Sequence, residues 1–222
     1  MGPALLVVDY SSRKFRSVNE LRSWSRRGSV LEYLSERMGG ELLSRRRRVA
    51  ESVPDREGYL HSSVPGPDLG FDTQSRAVTY LPAYMRYREG RMYRGLPWPV
   101  IAGCRDLDVV FVSPLYGIAR HLELIRYYDI ALPTARRAFG PGDVWGDFIV
   151  KAVASYAVGR GADVVYDLAS EKLRRAFLAG LRRAVTGRGV KYVREWLGSS
   201  FSEVSVNIRS KIAYLARRYC RA

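Results

Sequence analysis

The sequence predicts an α/β fold with a mixed, partly parallel central sheet flanked by helices, and three observations predict it. Short apolar runs at Ala4–Tyr10, Leu107–Val112 and Asp163–Leu168 are rich in Val and Leu, as strands buried on both faces are. Amphipathic helical patterns fall between and after these runs, the alternation that builds a parallel sheet. The composition, 47% hydrophobic and 12% aromatic, supports a packed core and excludes a disordered chain. At 222 residues, a single domain over 1–222 is expected.

The opening strand ends in the polar turn Ser11-Ser12-Arg13-Lys14. Ligands of α/β proteins gather beyond the carboxyl ends of such strands. From Val18 to Arg48 the apolar residues Leu31, Leu34, Met38, Leu42 and Val49 recur near helical spacing. Gly39-Gly40 divides that stretch, so an appended helical hairpin is expected over about residues 18–50. Arg45-Arg46-Arg47-Arg48 closes it, where cations also suit the helix C-terminus. Two readings follow: a glycine hairpin whose backbone N–H groups clamp a phosphate, or a plain hairpin with a solvated basic face.

Residues 52–75 hold Pro54, Pro65, Gly66, Pro67 and Gly70 without periodicity and read as a long loop, with His61 solvent-exposed. Ala77–Leu81 is strand-like. After it, Arg86, Arg88, Arg91 and Arg94 interleave with Tyr84, Tyr87 and Tyr93. That pattern suits stacking on nucleic-acid bases or, equally, an aromatic core edge with a basic rim. The strand Leu107–Val112 ends in Ser113-Pro114-Leu115-Tyr116-Gly117, and Ile118–Tyr128 reads as a short helix with Arg120 and Glu123 paired on its surface. Asp143 is expected to cap a helix over Trp145–Val158, Asp147 to cap or brace it, and Ser170 to cap the next. Ser202–Arg221 is a basic amphipathic helix.

Charge narrows the function. Lys and Arg total 37 against 22 Asp and Glu, a formal net charge of +15. Ion-pair networks need both signs and cannot absorb this surplus, so a polyanion partner is expected, DNA ahead of RNA. Arginine-rich composition alone, as in heat-adapted proteins, is the competing explanation. No apolar run approaches the roughly 20 residues of a membrane span, and the start lacks a signal-peptide pattern, so no membrane partner and a cytoplasmic location are expected. Cys104 and Cys220 read as two ordinary thiols, a single bridge to the tail being the other option. No motif calls for a metal or a cofactor.

Four segments resemble the YaaA family of peroxide-stress proteins. They are Leu6-Val7-Val8-Asp9-Tyr10-Ser11-Ser12-Arg13-Lys14, Arg91-Met92-Tyr93-Arg94-Gly95-Leu96, the stretch from Val112-Ser113-Pro114-Leu115-Tyr116-Gly117 to Tyr128, and that from Trp145-Gly146-Asp147 to Asp167-Leu168-Ala169-Ser170-Glu171. Order and gaps agree with the family pattern over about half the chain. His121 and Tyr127 stand where the family has prolines, Asp167 where it has asparagine, and Leu173 where it has tyrosine. The family's C-terminal Ala-Arg-Gly stretch has no counterpart. What the resemblance implies is a mixed α/β fold with a DNA-binding groove, a helix-hairpin-helix-like element and a role in limiting peroxide damage. It brings no established chemistry.

The expected DNA contacts are therefore Lys14, Arg45, Arg46, Arg47, Arg48, Arg86, Arg88, Arg91 and Arg94. The expected pocket holds Ser11, Ser12, Ser113, Tyr116, Gly117, Arg120, Asp167 and Ser170. No catalytic residue is assigned, and binding without turnover is the leading expectation. A nucleobase-processing enzyme with Lys14 as nucleophile is the alternative.

Overall fold

The computed structural model describes residues 2–17, 19–52, 63–130 and 144–220. The strands are β1 (Ala4–Asp9), β2 (Tyr80–Pro82), β3 (Leu107–Ser113), β4 (Gly117–Arg120), β5 (Leu124–Arg126), β6 (Val164–Asp167) and β7 (Lys191–Arg194). The helices are α1 (Glu36–Ser52), α2 (Ala83–Tyr87), α3 (Trp98–Gly103), α4 (Phe148–Gly159), α5 (Glu171–Phe177), α6 (Leu181–Thr186) and α7 (Phe201–Tyr219).

A five-stranded sheet in the order β4-β3-β1-β6-β7 forms the centre. β1 pairs in parallel with β3 on one side and β6 on the other, and β7 continues the parallel set; β4 returns antiparallel at the far edge. Leu5, Leu6, Val7 and Val8 are all fully buried. Successive strand residues face opposite ways, so both faces of the sheet are covered. β2 and β5 form a separate antiparallel pair. The three strands expected from sequence are thus present, and the mixed, mostly parallel architecture is observed.

The hairpin expected over 18–50 is not. Residues 19–35 form turns and one 3-10 turn at Val30–Glu32, and α1 runs unbroken through Gly39-Gly40. Packing overrides the glycine penalty: α1 buries Gly39, Leu42, Arg46, Val49 and Ala50 along one stripe. Ile118–Tyr128 is likewise not a helix but the strands β4 and β5. Arg120 and Glu123 are buried there instead of forming a surface pair, Arg120 bonding Asp108 at 2.9 Å and Glu123 meeting Arg46. α4 starts at Phe148 with Asp147 at its N-cap, which bonds Lys151 at 2.6 Å and not the helix backbone. Asp143 and His61 lie outside the described residues. Cys104, after α3, and Cys220, after α7, are joined in a disulfide with Cα atoms 5.2 Å apart, which corrects the expectation of free thiols. A link across 116 residues restricts the unfolded chain far more than the folded one.

The β3–β4 turn is fixed from two sides. Gly117 adopts φ +67, and a Cβ there would meet Trp145 Cζ3 at 2.5 Å, so the turn demands glycine twice over. Trp145 Nε1 donates to the Pro114 carbonyl at 2.8 Å. From the other side Arg46 of α1 donates to the carbonyls of Tyr116, Ile118 and Asp68 at 3.0, 2.7 and 3.1 Å and pairs with Glu123 at 2.7 Å. Arg46 is fully buried, so its loss would strand Glu123 as an uncompensated interior charge. Arg46→Met is expected to cost about 3–5 kcal/mol in urea unfolding. Arg48→Met, on the exposed side of the same helix, should stay within about 0.5 kcal/mol of wild type. Equal effects would contradict this placement of the arginine run.

Candidate nucleic-acid interface

Because β1, β3 and β6 are parallel neighbours, their carboxyl ends share one edge of the sheet. Asp9 N-terminal to the first turn is opposite Val112 in register, and Tyr10 N–H donates to the Val112 carbonyl at 3.0 Å. On the other flank Asp9 accepts from the backbone N–H and the hydroxyl of Ser170 at 2.8 and 2.5 Å. Ser170 also caps α5 through Leu173 N–H. One carboxylate therefore ties the end of β1 to the start of α5.

A groove of about 740 Å³ opens at this edge. Ser11 and Ser12 lie along it, with Asp9 and Ser170 at its base. Arg13 from the first turn, Arg91 from the turn after α2 and Lys172 from α5 line it as well, facing Phe201 at the start of α7. Gly90 lies so close that a Cβ would meet Ser11 Oγ at 2.3 Å. Three of the four family-like segments, those at Ser11, Arg91 and Ser170, converge on this one feature. Beyond Glu171 a neighbouring depression of about 380 Å³ continues past Trp196, whose surface is 79% exposed.

The fourth segment sits behind the first turn. Ser113 Oγ bonds the Tyr128 hydroxyl at 2.7 Å, and that hydroxyl bonds Tyr87's at 2.5 Å. Burial holds all three of Tyr87, Tyr116 and Tyr128 well above ordinary tyrosine, so they act as neutral donors. Lys14 closes the group: its Nζ lies 4.2 Å from the Tyr128 ring centroid and 3.3 Å from the Ser12 carbonyl. Burial brings its amine down to about 8, Arg86 adding to the effect and Asp129 opposing it.

The pocket expected at the strand ends is thus partly assembled and partly closed. Ser11, Ser12 and Ser170 reach the groove. Ser113, Tyr116 and Asp167 are fully buried, and Asp167 is consumed by Arg174 at 2.9 Å and the Tyr192 hydroxyl at 2.6 Å. Tyr116 donates to Asp68, Gly117 forms the turn, and Arg120 pairs with Asp108. These are supports, because no ligand reaches a buried hydroxyl already bonded.

The nine expected phosphate contacts divide the same way. Arg46 and Arg86 are fully buried, the second held by both oxygens of Glu20 at 2.8 and 2.9 Å, and cannot meet a phosphate. Arg45 pairs with Glu41 and donates to the Val144 carbonyl, while Arg47 donates to the Gly70 carbonyl. Arg88 and Arg94 share Glu89. Arg48 and Arg91 remain exposed, and the tyrosines between the arginines, Tyr87 and Tyr93, are core residues. Arg13 was legible only as part of the polar turn after β1, and Lys172 and Phe201 not at all as groove residues, since only tertiary structure brings the three together. Asp9 was nearer to view, being a charged residue ending a buried strand. Among the described residues no cluster of His, Cys, Asp and Glu has metal-holding geometry.

Burial pushes the Asp9 carboxyl up to about 6 despite the two Ser170 bonds, and Asp167 nearby adds repulsion. A carboxyl raised in the folded state stabilises the fold while protonated and loses that contribution as pH rises through about 6. Wild type should therefore lose thermal stability relative to Asp9→Asn as pH rises through that value. A pH-independent difference in Tm between the two would contradict the assignment.

No family model matches the chain, and no solved structure matches it. Two curated proteins do. Over 80 residues, 33% of this chain, it is 35% identical to a UPF0246 protein of Rhizorhabdus wittichii. Over 168 residues, 69% of this chain, it is 26% identical to a UPF0246 protein of Dechloromonas aromatica. The chain spans 30% and 64% of the lengths of these relatives. With the four segments found in order and three of them lining one groove, the chain is similar to these UPF0246 proteins, the family that includes YaaA.

Proposed function

We propose that this protein binds DNA through the groove at the carboxyl edge of β1 and β6, and that its role is to limit peroxide damage to DNA, as its resemblance to YaaA suggests. One observation carries the binding proposal. Arg13, Arg91 and Lys172 line the same groove, and none has a carboxylate partner among the described residues. Glu171, which also lines the groove, is taken up by Arg174, Arg175 and Arg194, and Asp9 by Ser170. Cations left unpaired around a concavity supply the field that a polyanion follows. The net charge of +15 extends that attraction over the rest of the surface.

Affinity for duplex DNA should fall steeply with salt, the log–log slope being about −0.9 per phosphate neutralised. Charge reversal at Arg13, Arg91 or Lys172 should weaken binding to all sequences and reduce the slope by about 1 each. A salt-independent titration would sink the proposal.

Lys14 supports a second reading, a lyase acting on damaged DNA. An amine brought down to about 8 is partly unprotonated at neutral pH and is a nucleophile. It would add to the open-chain aldehyde of an abasic sugar and lose water to give an imine. Borohydride should then trap a covalent protein–DNA adduct that Lys14→Arg abolishes. Absence of an adduct with abasic DNA would end this reading.

A further inference from the structure

We infer that the groove at the β1–β6 edge is a subsite for one 5′-phosphorylated nucleotide unit, its phosphate held by Arg13, Arg91 and Lys172 and its base stacked on Phe201. This rests on the groove reading above and goes further, since it names what enters. Size is the first argument. At about 740 Å³ the groove falls within the roughly 300–1,000 Å³ of small-molecule sites, so it admits a single nucleotide and not a duplex, which would have to ride across its mouth.

The second argument is chemical order within the groove. Phe201 opens α7 with 62% of its surface exposed and lines the groove. The Arg91 guanidinium lies 5.6 Å from that ring's centroid. The two form a cation–π contact, which holds the charge beside the ring. An aromatic face next to unpaired cations is the combination by which proteins hold unpaired nucleotides, the ring accepting any base and the cations the phosphate.

The third argument is the floor. Ser11 carries a hydroxyl with no hydrogen-bond partner among the described residues, yet the residue is almost wholly buried beneath the groove. Asp9 next to it has each oxygen engaged once by Ser170 and keeps further acceptor capacity. A donor–acceptor hydroxyl and a carboxylate facing a cationic rim match the sugar or base edge of a nucleotide whose phosphate sits above. The position is also where the chain order of the strands reverses about β1, from β3 on one side to β6 on the other, the crevice in which α/β sheets bind nucleotides.

Calorimetric titration of the full chain with 5′-dAMP, deoxyadenosine and inorganic phosphate tests this. The nucleotide should bind at least tenfold more tightly than either fragment. Arg91→Ala should weaken the nucleotide and phosphate alike, while Phe201→Ala should weaken the nucleotide tenfold and leave phosphate unchanged. Both side chains are exposed, and circular dichroism checks that the variants stay folded. A short single strand with and without a 5′-phosphate distinguishes the source: a gain from the phosphate assigns a strand end, whereas binding of 5′-dAMP alone assigns a free nucleotide. If 5′-dAMP binds no better than phosphate, or Phe201→Ala has no effect, while duplex binding keeps its salt dependence, this inference fails alone. If duplex binding is also absent, the groove reading falls with it.

Discussion

The parallel pairing of β1 on both of its edges is the constraint on which the rest of the structure depends. Its partners come from residues more than a hundred positions away, and its own side chains are buried on both faces. Hydrogen bonds on either side then fix where the strand stops, and Asp9 locks that end to Ser170. The turn after β1, the turn after α2 and the start of α5 meet as a consequence. Without this register the cations of the groove would belong to two turns and a helix with no common site.

The basic surplus divides into interior and exterior roles, and that division gives the charge its meaning. Arg46 with Glu123, Arg86 with Glu20, Arg126 with Asp68, and Arg120 and Arg160 with Asp108 are interior or nearly so. Such pairs recover little net stability over an apolar core, because desolvation offsets most of the attraction. They do fix geometry: Arg126 and the Tyr116 hydroxyl meet on Asp68, while Arg46 grips the same turn from α1. These networks take up much of the acid, and Arg13, Arg91 and Lys172 in the groove have no carboxylate partner among the described residues. An arginine-rich scaffold and the proposed polyanion site are therefore compatible: the scaffold uses arginines as buried braces, and the proposal concerns only those left in the groove.

What the sequence revealed follows from which signals are local. Unbroken apolar runs located β1, β3 and β6, the serine before an acidic turn located the cap at Ser170, and the helix over Phe201–Tyr219 was visible from its periodicity. Gly39-Gly40 misled because a helix tolerates glycine when its buried stripe is continuous, and that stripe is a tertiary fact. Ile118–Tyr128 misled because short apolar segments carry no decisive period. Of the arginine run at Arg45–Arg48, one member points inward and two bond carbonyls of neighbouring segments, which no count of charges could reveal. The disulfide joins residues 116 apart and left no spacing to read. Family-like segments pointed to the end of the sheet where the groove opens, yet the groove's wall at Phe201 lay outside them.

Arginine reactivity tests the central claim most directly. Phenylglyoxal should modify Arg13 and Arg91 readily in the free protein, since both are exposed and without carboxylate partners among the described residues, and spare Arg46 and Arg86. Adding DNA at low salt should protect Arg13 and Arg91 ahead of every arginine remote from the groove, as read by peptide mass spectrometry. Protection spread evenly over the surface, or centred on Arg48 and the end of α7 with Arg13 and Arg91 still reactive, would contradict the account.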